Sequence, residues 1–189
     1  SDSKGYLYCS DEYSNFIATF SNDGPYYEKL GEYDPSGEYL HKWGEKGPLK
    51  GQLDSPSGIA FDTHDNLFVV DSGNNRIQKL TTEGGYLDSW GTNGNGNGEF
   101  NRPWGITIDA NNNVFVADWG NNRVQKFDPD GSFVMSFGAA PCDEDPLLRP
   151  SDIAVDSVGD VYVADWGNNR VKVFESNGEI IGSIHGDAT

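Results

Sequence analysis

Asn66-Leu-Phe-Val-Val-Asp71-Ser-Gly-Asn-Asn75-Arg76-Ile-Gln-Lys-Leu80 decides the fold, because this stretch occurs three times at one interval. It returns as Asn113-Val-Phe-Val-Ala-Asp118-Trp119-Gly-Asn-Asn122-Arg123-Val-Gln-Lys-Phe127 and as Asp160-Val-Tyr-Val-Ala-Asp165-Trp166-Gly-Asn-Asn169-Arg170-Val-Lys-Val-Phe174, each copy 47 residues after the last. Ahead of each stands a proline-led run, opened by Pro56, Pro103 and Pro150. A gapless period of this size means one supersecondary unit repeated, each copy needing its neighbours to bury its faces.

One unit holds four short apolar runs between turn residues. The first is Ile59-Ala60-Phe61 and its copies, the second Leu67 to Val70 and its copies. Short runs of β-branched and aromatic residues bounded by Gly, Asn and Asp read as strands. Both runs are apolar throughout, so neither face of these strands is expected to meet water. The third run alternates, as in Ile77 and Lys79, and the fourth more loosely, as in Phe133 to Phe137. This gradient predicts four-stranded blades set radially, with the first strand at the axis and the fourth at the rim.

The Asp-Xaa-Gly-Asn-Asn-Arg box links the second and third runs, with Gly and Asn supplying positive φ at little steric cost. Asp71, Asp118 and Asp165 are expected to accept backbone N–H groups of this turn. Arg76, Arg123 and Arg170 are expected to reach a carboxylate or carbonyl nearby. Together with Asn75, Asn122 and Asn169 they read as scaffold.

A fourth, degenerate copy opens the chain. Gly5 to Gly24 aligns without gaps on Gly159 to Gly178, putting Asp11 at the Asp165 position, Asn15 at Asn169 and Phe16 at Arg170. Most of its first strand is missing. The 13 extra residues 25–37, with Tyr26, Tyr27 and Tyr33, form an insert between third and fourth strands. The expectation is a single all-β domain over 1–189. It divides into a degenerate blade at 1–44 and full blades at 45–91, 92–138 and 139–189, with another chain or further blades completing the ring.

Thirty acidic against 13 basic residues give a formal charge of −17. Nucleic acid and anionic membranes are disfavoured partners, since both need a cationic surface. No apolar stretch reaches transmembrane length, so no membrane insertion is expected. The charge suits a saline medium, a divalent cation or a basic partner. Cys9 takes the place of Val69, Val116 and Val163 and reads as a small buried hydrophobe; Cys142 lies in the loop before the last blade.

The segment Asn113 to Phe127, continued by Asp-Pro-Asp-Gly-Ser-Phe133, resembles a consensus NHL repeat, and nearly the whole chain shares the resemblance. The signatures of WD40 blades are absent. The wording is similar to that of bacterial NHL-repeat proteins. The resemblance implies a β-propeller, most often six-bladed, and a range of roles: protein- and RNA-binding modules, extracellular sensors and an amidating lyase with a metal-dependent site. An extracellular or periplasmic setting is the corresponding expectation.

Several residues exceed what the repeat demands. Trp119 and Trp166 stand where Ser72 and Glu12 occupy the other copies; they either stack on a ligand or pack against the adjoining blade. Asp152 replaces Gly58 and Gly105 at the start of an inner strand, putting a carboxylate near the channel mouth. Asp143, Glu144 and Asp145 form either a solvated acidic loop or a site for calcium, which takes several oxygen ligands. No other cofactor is implied. His41, His64 and His185 fall in three unrelated places, and the inner strands carry Ser57, Trp104 and Ser151 where the lyase resemblance calls for histidines. The expected function is therefore non-enzymatic: propeller loops binding a protein, peptide or glycan. The alternative is a metal-dependent propeller enzyme, lyase- or lactonase-like, with catalytic residues partly outside this chain.

Overall fold

The computed structural model describes Ser3 and residues 7–11, 15–20, 39–139 and 145–186. The insert at 25–37, Cys142, Asp143 and Glu144 lie outside the described residues.

Four antiparallel sheets follow one another along the chain. The first has three strands, β1 (Leu7–Asp11), β2 (Phe16–Phe20) and β3 (Tyr39–Trp43). The second is β4 (Pro56–Phe61), β5 (Leu67–Asp71), β6 (Arg76–Leu80) and β7 (Tyr86–Trp90). A short parallel pair, β8 (Thr92–Asn93) and β9 (Glu99–Phe100), folds the connecting loop back. The third sheet is β10 (Pro103–Ile108), β11 (Val114–Asp118), β12 (Arg123–Phe127) and β13 (Phe133–Phe137). The fourth is β14 (Pro150–Val155), β15 (Val161–Asp165), β16 (Arg170–Phe174) and β17 (Ile180–His185). Helix among the described residues is limited to three 3-10 turns, Ser72–Asn74, Trp119–Asn121 and Trp166–Asn168. In every sheet the strands pair in sequence order, as a meander does.

Side chains alternate along a strand, and the alternation builds a core between each pair of sheets. Val114 and Val116 of β11 pack with Phe68, Val70 and Ile77 of the preceding sheet. Phe115 and Ala117 point the other way, to Ile153, Val161, Val163 and Phe174 of the following one. A residue from each leading loop plugs these junctions: Leu53, Phe100 and Leu147, all fully or almost fully buried. Each such plug contributes about 1.5–3 kcal/mol. The inner strands β4, β10 and β14 lie side by side in chain order, and β1, which aligns with the second strand β15, meets β4 as β11 meets β14.

The inner strands depart from the expectation of two dry faces. β5 and β11 are buried at every position, but β4 is half-buried beyond Pro56, and β14 exposes Asp152 and Ala154. The second strand is sandwiched between neighbouring strands and sheets, whereas the first has no strand on its axial side.

Closeness at the axis explains the inner-strand glycines. A Cβ on Gly58 would stand 2.6 Å from the Trp104 carbonyl oxygen, and one on Gly105 would stand 2.7 Å from Asp152 Cα. Only glycine lets consecutive inner strands approach so nearly.

Candidate recognition surface

The box forms the floor of the loop face. Asp71, Asp118 and Asp165 are completely buried at the ends of β5, β11 and β15. Each is held by its own arginine: Asp71 Oδ2 accepts from Arg76 Nε at 2.7 Å, Asp118 Oδ2 from Arg123 Nε at 2.9 Å, and Asp165 Oδ2 from Arg170 Nε at 2.7 Å. Asn74, Asn121 and Asn168 donate their side-chain amides to the same carboxylates. A buried carboxylate needs such charge-assisted partners.

The backbone donor is not the one expected. Each Oδ1 accepts an N–H from the leading loop of its own sheet: Asp54 at 2.7 Å, Asn101 at 2.9 Å and Leu148 at 2.7 Å. The box turn closes itself with 3-10 bonds, leaving the carboxylate free to stitch a loop 17 residues earlier. The arginines complete the stitch, Arg76 donating to the carbonyls of Pro48, Leu49 and Gln52, and Arg123 to those of Gly96 and Glu99. Gln78 and Gln125, unremarked in the sequence, donate to the same aspartates. Burial pushes the Asp118 carboxyl above its ordinary value, opposed by bonds from Asn101, Asn121 and Arg123.

The second asparagine of the box ties one sheet to the next. Asn75, Asn122 and Asn169 adopt the left-handed conformation, with φ of 53°, 55° and 53°. Asn15 Oδ1 accepts the Ser55 N–H at 2.8 Å, Asn75 Oδ1 that of Arg102 at 2.7 Å, and Asn122 Oδ1 that of Arg149 at 2.8 Å. Ser55, Arg102 and Arg149 also have positive φ, a conformation costing about 1–2 kcal/mol for a residue with a side chain. The asparagine bond offsets that cost at each junction.

Above this floor the third and fourth sheets carry an aromatic strip. Trp104, 44% exposed at the start of β10, meets Trp119 edge-on with ring centroids 6.1 Å apart. Arg149 spreads its guanidinium over Trp119, 5.1 Å from the ring centroid. The Trp119 indole N–H is buried without a hydrogen-bond partner among the described residues. Beyond Arg149 opens a cleft of about 500 Å³ lined by Leu148, Arg149, Trp166, Gly167 and Asn169. Trp166 is 60% exposed.

Of the residues singled out in the sequence, Trp119 and Trp166 fall on one strip, with Arg149 between them. Asp152 is exposed on the inner strand beside Gly105, its Oδ1 accepting the N–H of Ile153. Asp145 is exposed and ion-paired to Arg170; that bond, ahead of the charges of Lys172 and His185, holds its carboxyl below the ordinary value. Lys172 donates to the Asp145 carbonyl. Among the described residues no three metal-ligating side chains converge. The described inner strands carry Ser57, Trp104, Ser151 and Asp152, a set with one carboxylate and no imidazole, which does not fit a protein-held divalent metal. Sequence reading missed Arg149. Its signal was position: Arg102 and Arg149 both immediately precede the proline that opens a repeat.

Radially ordered four-stranded meanders with neighbouring inner strands define a β-propeller arc. The chain carries three NHL repeats: the family described as NHL repeat matches residues 53–80, 100–127 and 147–174. Over 71 residues, 35% of this chain, it is 35% identical to peptidylglycine alpha-amidating monooxygenase of Rattus norvegicus, and it covers 7% of that protein. In architecture it is similar to a catalytically inactive virginiamycin B lyase of Staphylococcus aureus solved with quinupristin, with TM-score 0.69, 19% identity, and coverage of 98% of this chain and 53% of that one. A protein of unknown function from Bacteroides caccae gives TM-score 0.64 at 16% identity, covering 97% of this chain and 59% of that one. The chain thus spans about half the length of these solved propellers and a small part of its curated relative. At these identities the structures speak for the fold alone.

Proposed function

We propose that this propeller arc is a non-enzymatic recognition module, and that its loop face over the third and fourth blades holds a polypeptide segment of a partner protein. The observation that carries the reading is the strip Trp104–Trp119–Arg149–Trp166. Three tryptophans and an arginine stand on loops and a strand end where the repeat itself accepts serine, and two of them, Arg149 and Trp166, line an open cleft. Function concentrates on loops held by a rigid scaffold, and tryptophan and arginine are the residues enriched at binding hot spots. Glycan stacking on the same tryptophans is the nearest competing ligand class.

The test is to probe peptide and glycan arrays with the purified chain and with a Trp104→Ala, Trp166→Ala double variant. The expected result is peptide binding that falls at least tenfold in the double variant while the melting temperature stays put. Binding confined to glycans, or peptide binding untouched by the double replacement, would overturn the assignment. A second reading, a metal-dependent lyase- or lactonase-like enzyme, draws on the 71-residue likeness to the amidating monooxygenase. It requires metal-dependent turnover lost on chelation, with ligands from outside the described inner strands.

A further inference from the structure

Four Asn-Gly steps occur in the chain, and three of them follow one another in the leading loop of the third blade: Asn93-Gly94, Asn95-Gly96 and Asn97-Gly98. The fourth is Asn177-Gly178, in the outer hairpin of the last blade. Such a step carries its own chemistry. The main-chain nitrogen of the glycine, unhindered by a Cβ, attacks the asparagine Cγ when it is free to approach. A bond from that nitrogen to Cγ forms, and the side-chain nitrogen leaves as ammonia, taking the proton the main chain gives up. Water then opens the succinimide. Breaking its bond to Cγ yields aspartate, and breaking its bond to the main-chain carbonyl carbon yields isoaspartate.

The fold holds these four nitrogens by unequal means. Gly94 and Gly178 donate their N–H groups to the backbone carbonyls of Phe100 and Glu175, at 2.9 Å and 2.8 Å. Gly98 donates at 3.0 Å to Oε1 of Gln125, a completely buried side chain. Gly96 donates at 2.9 Å to Oε2 of Glu99, a half-buried side chain on the same loop, and is itself exposed. Rotation of one side chain frees Gly96, whereas the other three need backbone or core contacts to open.

Nor does the loop require this step. The second blade builds the same loop with Pro48-Leu49 in place of Asn95-Gly96, the Leu49 N–H donating to Gln52 Oε1 at 3.2 Å. Glycine stays in both blades at the flanking positions. A Cβ on Gly94 or on Gly47 would stand 2.1 Å from the Glu99 or Gln52 side chain, and Gly98 and Gly51 have φ of 75° and 76°.

We propose that Asn95 is the site at which the folded chain deamidates, and that its isoaspartyl product loosens the box of the third blade. The Gly96 carbonyl accepts from Arg123 Nη2 at 2.7 Å, while Arg123 Nε holds the buried Asp118. Isoaspartate routes the main chain through an extra methylene directly before Gly96, so this residue loses its register with Glu99 and Arg123 together. Aspartate at the same place adds a charge and leaves the backbone as it was.

Mass-spectrometric peptide mapping of the 189-residue chain, aged at mildly alkaline pH, tests this. Asn95 should convert at least about fivefold faster than Asn93, Asn97 or Asn177, the factor that one net hydrogen bond represents. In the urea-unfolded chain the four steps should convert alike. Glu99→Ala should speed Asn95 about fivefold without changing Asn97, and Glu99→Gln, which supplies the acceptor used in the second blade, should keep the slow rate. Gly96→Leu, the second blade's own residue, should nearly abolish conversion at Asn95. Chain enriched in isoaspartate at 95 should melt below the parent, and freshly prepared Asn95→Asp should melt with it. Conversion led by Asn93 or Asn97, a Glu99→Ala rate equal to the parent's, or an isoaspartyl chain with the parent's melting temperature overturns the proposal.

Discussion

The junction between the third and fourth blades and the outer face of the fourth blade are built from the same repeat, and they end up in opposite states. At the junction, Phe115, Ala117 and Val124 are completely buried against Leu147, Ile153 and Phe174. On the outer face the matching positions, Tyr162, Ala164 and Val171, are half-buried, while Ile180 and Ile184 of the rim strand are exposed. Trp119 is capped by Arg149, and Trp166 stands open. One sequence unit therefore behaves as core or as surface according to what lies beside it. Repeat proteins are stabilised through nearest-neighbour interfaces, so the difference is energetic as well as visual.

The largest expected contrast follows directly. Leu147→Ala should cost about 2–5 kcal/mol, because it opens a cavity in a packed junction. Ile184→Ala on the outer face should stay within about 0.5 kcal/mol. Urea unfolding of the two variants checks this, and similar losses would mean that the outer face is covered in solution.

Next in size is the buried ion pair. Arg123→Ala should destabilise by about 3 kcal/mol, since it leaves the fully buried Asp118 without its charge partner. Unchanged melting combined with lost peptide binding would instead make Arg123 a contact residue.

The asparagine latch sharpens the comparison. Asn122→Gly should cost about 1 kcal/mol by removing a hydrogen bond between blades. Asn169→Gly should leave thermal stability unchanged, because its oxygen holds no described donor. Equal losses at both positions would show that the latch is not what the left-handed asparagine provides.

The smallest effect concerns acid. Burial raises the Asp62 carboxyl, but hydrogen bonds from the Asn66 side chain and from the Asn66 and His64 backbones, with Lys79 nearby, outweigh it and hold the group below the ordinary 3.8. A depressed folded value gives stability that is present above 3.8 and lost as pH falls through the folded value. After solvent screening this is below about 1 kcal/mol, visible as a smaller drop in urea midpoint between about pH 5 and pH 3 in Asp62→Asn than in the parent. Asp118 acts in the opposite sense, its raised carboxyl taking up a proton in the folded state first.

Much of the architecture could be read from residue order alone. The 47-residue interval sets the blades, and the gapless match of Asn15 to Asn169 is mirrored in geometry by the left-handed Asn15 and its bond to Ser55. What escaped was everything that depends on ring curvature. Nothing local says that Arg149 lands on Trp119, 30 positions away, or that the backbone N–H which Asp71 accepts is that of Asp54 rather than one of its own turn. The half-burial of the first strands escaped for the same reason: hydropathy says a residue can be buried, and the neighbouring blade decides whether it is. Trp119 and Trp166 are identical in the sequence pattern and different in the molecule.

Indole N–H resonances separate those two tryptophans most directly. With the chain labelled with nitrogen-15 and a peptide selected on the array titrated in, the account predicts that the Trp166 indole signal moves saturably while the capped Trp119 signal stays nearly still. Movement of Trp119 with Trp166 unmoved, or no movement of either, would contradict the division between a filled junction and an open recognition edge.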